Sequence, residues 1–93
     1  MTDQQLKQLI KEVNIIKDSC KAKEHELVIY HSIEETMNTL YDTDPDGEKI
    51  KDMFDDILFK RWGEDGENGK VVCDYDAIEQ DLYEIIDYIG NLM

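Results

Sequence analysis

Basic residues are scarce in this chain of 93, where ten Lys and Arg stand against 23 Asp and Glu and leave a formal charge of −13. Phosphate contacts need clustered Lys and Arg, so the composition argues against direct nucleic-acid binding. Cysteine occurs only as Cys20 and Cys73, with no CxxC spacing and no neighbouring pair of histidines to complete a tetrahedral zinc site. Two reduced thiols are expected rather than a disulfide framework. No apolar run approaches the roughly 18 residues needed to cross a bilayer, and the opening MTDQQLKQLI lacks a basic stretch followed by an apolar one. A soluble, unprocessed, cytoplasmic protein is the expectation. The histidines number two, His25 and His31, and there is no nucleophile motif and no glycine-rich phosphate loop. An enzyme is therefore not expected, and no cofactor is called for.

What is present suffices for one core. Leu, Ile, Val and Phe number 24, about a quarter of the chain, above the roughly 20 % below which a highly charged chain stays disordered. A chain this short has no room for a second core, so a single acidic globular domain spanning residues 1–93 is expected.

Leu6, Leu9, Ile10, Val13, Ile16 and Cys20 recur at spacings of three and four, which predicts an amphipathic helix from Asp3 to Cys20 capped by Thr2 or Asp3. Leu27 to Tyr30 is a β-branched and aromatic run. The following Ser32-Ile33-Glu34-Glu35 reads as a capping box, which makes Leu27 to Tyr30 a short strand before a helix from Ile33 to Tyr41. One continuous helix is the competing reading, because Leu27, Tyr30, Ile33, Met37 and Leu40 also fit a helical stripe. Asp44 and Pro45 then open the third helix, whose apolar face is Ile50, Met53, Phe54, Ile57, Leu58 and Trp62 and whose end is marked by Gly63. Asn68-Gly69 favours a reversal, and Lys70 to Asp74 is a second β-prone run able to pair with the first. The last helix starts at Asp74 or Asp76 and stops near Gly90. The expected fold is α+β and helix-dominated, about four helices with a two-stranded antiparallel ribbon; an all-α bundle is the alternative.

The charge is unevenly spread. Residues 1–41 hold seven acids and five bases, and residues 42–93 hold sixteen acids and five bases. Carboxylates at i and i+4 of a helix destabilise it by a few tenths of a kcal/mol per pair, so selection for stability alone would interleave lysines. The last two helices carry Asp52, Asp55, Asp56, Asp76, Glu79, Asp81, Glu84 and Asp87, with no basic residue between Asp74 and Met93 and with Tyr83 outside the Ile and Leu stripe as an aromatic anchor. Either these acids keep a small domain soluble, or they steer it onto a basic partner. Carboxylates one helical turn apart lie about 5 to 6 Å from each other, close to the spacing of successive phosphates along one nucleic-acid strand.

Asp42-x-Asp44-x-Asp46-Gly47 resembles the first half of an EF-hand calcium loop. The resemblance stops there, since Met53 stands where the bidentate Glu belongs, Lys49 replaces the usual apolar residue, and Pro45 favours a helix start. Asp42, Asp44 and Asp46 remain as metal candidates behind the helix-cap reading. In composition, small size with excess acid, the chain resembles phage-encoded anti-defence proteins such as inhibitors of CRISPR nucleases or restriction enzymes. That likeness implies a small inhibitor that binds the basic nucleic-acid-binding surface of a target protein, a nuclease among the candidates, as a DNA or RNA mimic. An immunity protein for a nuclease toxin is the near alternative, and a calcium-binding or general helical interaction module the other. No membrane partner is expected.

Overall fold

The three-and-four spacing of the first apolar residues is realised as helix α1, Asp3–Lys21, in the computed structural model, which describes residues 1–40, 44–63 and 74–93. Thr2 caps it, accepting from the Gln5 N–H while the Gln5 side chain accepts from the Thr2 N–H, a reciprocal box that satisfies two otherwise orphaned donors. A turn at Lys23, with φ of 53°, then leads into α2, Glu26–Met37.

Helix α2 overturns the α+β expectation. Leu27 to Tyr30 is helical, not a strand, and its cap is His25, whose Nδ1 accepts the Leu27 N–H at 3.2 Å. The physical reason is burial at i, i+4 and i+7: Ile29, Ile33 and Thr36 all face the core while Val28 is exposed, a pattern that a two-residue strand period cannot produce. Ser32 therefore sits inside the helix rather than before it. Its Oγ donates to the Val28 carbonyl at 2.8 Å, and Thr36 repeats the pattern on the Ser32 carbonyl at 3.0 Å. Of the predicted partner run, Lys70 to Asp74, only Asp74 is described, as the cap of the last helix; residues 70–73 and the Asn68-Gly69 turn lie outside the described residues, and no strand occurs among those described. The fold is all-α.

Helix α3, Pro45–Trp62, begins and ends as its sequence predicts. Asp44 Oδ1 accepts from the Asp46 and Gly47 N–H groups, Pro45 fills the first turn, and Gly63, at φ 70°, receives the chain after Trp62. Helix α4, Tyr75–Leu92, is capped by Asp74, which accepts from the Ala77 N–H at 3.1 Å, and it runs through Gly90 instead of stopping there.

The main packing contacts form a ring in which α1 touches α4 and α2, and α3 touches α4 and α2. Lys17 meets Tyr83 and Lys21 meets Glu79, so α1 and α4 run antiparallel. Inside the ring, Leu6, Leu9, Val13 and Ile16 of α1 join Ile29 and Ile33 of α2, Ile50, Phe54 and Ile57 of α3, and Ile78, Leu82, Ile85 and Ile89 of α4. Burial of such side chains contributes about 1.5–3 kcal/mol each. Cys20 is buried at the edge of this core.

The altered reading of α2 is testable by urea denaturation. Ser32→Ala is expected to change stability by less than about 0.5 kcal/mol, whereas a true N-cap serine would cost about 1 kcal/mol on removal. Ile33→Ala, emptying a fully buried site, is expected to cost about 2–5 kcal/mol.

Candidate functional site

The eight predicted contact acids do not form one uniform set. Successive helix residues turn by about 100°, and on α4 this places Ile78, Leu82, Ile85 and Ile89 inward, Glu79 and Tyr83 on one flank, Asp81 and Glu84 on the other, and Asp76 and Asp87 outermost. The flank bearing Glu79 faces α1. There Lys21 Nζ lies 3.7 Å from a Glu79 carboxylate oxygen. The opposite flank faces α3, and Arg61 Nη2 donates to Asp81 Oδ2 at 2.9 Å across that seam.

Six carboxylates are left over. Asp52, Asp55, Asp56, Asp76, Glu84 and Asp87 are exposed and take part in no ion pair among the described residues. Asp56 and Glu84 are brought together from different helices, lining with Lys60, Asp81 and the apolar Met53, Ile57 and Ile85 a groove along the α3–α4 seam. Asp52 and Asp55 lie on the outer side of α3, and Asp76 and Asp87 at opposite ends of α4. Lys21 and Arg61 are engaged on the flanks of α4, while Lys60 lines the groove without an ion pair to Asp56 or Glu84 among the described residues.

Tyr83 is 42 % exposed, but its ring is covered on one side by the Lys17 ammonium, 3.6 Å from the ring centroid. Lys17 is itself buried. This cation–π contact ties Tyr83 to α1 and away from the α3–α4 groove. Phe59 was missed by the apolar-stripe reading. It is 61 % exposed, and it occupies the pole of α3 opposite the buried Ile50, Phe54 and Ile57. Counting about 100° per residue from that stripe finds it, since position 59 falls among Asp52, Asp55 and Asp56 rather than with the core. Tyr75 is half-buried and donates through its hydroxyl to the Glu24 carbonyl at 2.7 Å, which closes the turn between α1 and α2. His31 contacts Glu34 at 3.1 Å, one turn along α2.

The metal candidates separate as well. Asp42 lies outside the described residues. Both oxygens of Asp44 are engaged, Oδ1 by the α3 cap and Oδ2 by the Met1 ammonium, which donates to it at 2.5 Å. No group of three or more His, Cys, Asp or Glu side chains suited to a metal ion occurs among the described residues. The ammonium, followed by the Gly47 N–H, holds the Asp44 carboxyl below its ordinary range, and Asp44 in turn raises the Met1 amine above its ordinary 8.0.

No helix among the described residues is long and apolar enough to cross a membrane. Comparison with family models, curated proteins and solved structures finds no match to this chain, so its own geometry is what bears on function.

The Asp44 contact has a definite pH signature. A depressed carboxyl contributes stability above its unfolded value and loses it as pH falls; a raised amine contributes below its unfolded value and loses it as pH rises. Asn also caps helices well, so Asp44→Asn isolates the amine contact. The stability lost on that substitution is expected to be constant between about pH 5 and 7 and to shrink below about pH 4 and above about pH 8. Thermal unfolding of both proteins across that range checks it.

Proposed function

We propose that this chain is a helical protein-interaction module that acts in the cytoplasm by docking its α3–α4 carboxylate face onto the basic, nucleic-acid-binding surface of another protein, blocking that surface as a mimic of DNA or RNA. One observation carries the reading: six exposed carboxylates on two adjacent helices take part in no ion pair among the described residues, while the cations that reach α4, Lys17, Lys21 and Arg61, contact Tyr83, Glu79 and Asp81. On α4 the paired carboxylates, Glu79 and Asp81, lie on its flanks. The outer face keeps a potential that steers it toward Arg and Lys and offers charge-assisted hydrogen bonds to them on contact.

Spacing supports the phosphate comparison. Asp52 and Asp56 are one turn apart on α3, and Asp81, Glu84 and Asp87 follow at intervals of three on α4, separations of about 5 to 6 Å. An immunity protein for a nuclease toxin would use the same face against the same chemistry. The calcium reading has no comparable support, because Asp44 is occupied by its cap and by the Met1 ammonium and Asp46 lies in the first turn of α3.

The test is affinity capture with the intact protein as bait. Basic nucleic-acid-binding proteins are expected to be retained at about 0.1 M salt, displaced by excess DNA or RNA, and released near 0.5 M, where the Debye length falls to about 4 Å. Replacing the six free carboxylates by Asn or Gln is expected to abolish capture without loss of helix content. A partner that survives both the salt and the neutralisation contradicts the proposal.

A further inference from the structure

Among the described residues two aromatic side chains are exposed, Phe59 and Tyr83, and they differ in what surrounds them. Tyr83 has one face under the Lys17 ammonium. Phe59 has no ring partner of that kind. On α3 it is flanked by Asp55 and Asp56, one turn earlier and about 40° and 60° to either side, with Asp52 two turns earlier nearly in line. Helical side chains lean toward the N-terminus of their helix, which lays the Phe59 ring over the turn that carries those carboxylates.

Duplex geometry does not call for this arrangement, because a DNA-binding cleft meets phosphates on the outside and finds the bases stacked within. A single strand offers something else: a flat, exposed ring with an anionic group on either side along the backbone. Proteins that hold single strands combine a basic groove with aromatic platforms on which bases stack, and the stacking tolerates any π-face. We propose that Phe59 stands in for an unstacked base between carboxylates that stand in for its flanking phosphates, so that the partner is a single-strand-binding groove with an aromatic platform. This rests on the acidic-face reading above and narrows the partner class. Charge complementarity selects the basic walls of such a groove, and the exposed ring selects its platform. The apolar residue with comparable exposure, Ile15 at 65 %, lies on α1, where a single carboxylate, Glu12, stands one turn before it.

Two synthetic peptides of equal charge, (Arg-Trp)6 and (Arg-Ala)6, serve as defined probes of basic surface with and without platforms. Binding of each to the intact protein, to Phe59→Ala, to Ile15→Ala and to the protein with Asp52, Asp55 and Asp56 changed to Asn is measured by calorimetry, after circular dichroism shows each variant folded. The native protein is expected to prefer the Trp peptide by about five-fold or more, the lower end of stacking per base. Phe59→Ala is expected to erase that preference while still binding the Ala peptide, and Ile15→Ala to retain it. If Phe59→Ala keeps the native preference, or Ile15→Ala loses it equally, the single-strand inference is overturned while the acidic face stands. If the Asn variant binds both peptides as tightly as the native protein, the acidic-face reading itself fails.

Discussion

Helix α4 has five acids and no base of its own, and the cations that offset them come from neighbouring helices. Lys21 supplies one to Glu79 and Arg61 supplies another to Asp81, while Lys17 covers Tyr83. The ring order of the bundle makes this possible, because the main packing of α4 is against α1 and α3 and not against α2, which also lacks Lys and Arg. Apolar burial along Ile78, Leu82, Ile85 and Ile89 provides the larger stabilisation. The paired flanks allow an all-acid helix to take part in it.

That constraint sorts the carboxylates. Glu79 and Asp81 meet a cation from a neighbouring helix, whereas Asp56 and Glu84 in the α3–α4 groove and the outward Asp52, Asp55, Asp76 and Asp87 pair with none among the described residues. The unpaired set repels itself at spacings of three and four, a cost of a few tenths of a kcal/mol per pair. Asp76 is the exception, since it lies in the first turn of α4 where the helix dipole favours an anion. The proposed docking face is thus a surface that opposes folding slightly and is complementary to a basic partner, with Phe59 as its exposed apolar element.

Much of this was legible in the amino-acid order. Asp44-Pro45 and Gly63 bound α3 because caps are local chemistry, and the stripes of α1 and α4 declare their buried faces. Helix α2 was misread because two local signals, a β-branched run and a Ser-x-x-Glu pattern, agreed on a strand and a new start. The deciding contacts of Ile29 and Ile33 with the core are tertiary, and the cap is a histidine, a residue outside the usual capping set. The split between paired and free acids was equally hidden. Arg61 lies 20 residues from Asp81, and Lys21 further still from Glu79, so only the folded arrangement reveals which carboxylates are used internally.

The central claim is that the outward carboxylates are not there for stability. The most direct measurement is the thermal midpoint, at about 0.02 M salt where screening is weak, of the native protein against a variant with Asp52, Asp55, Asp56, Glu84 and Asp87 converted to Asn or Gln. A higher midpoint for the variant is the predicted result. A lower one would mean that these side chains hold the fold together, and would contradict the account.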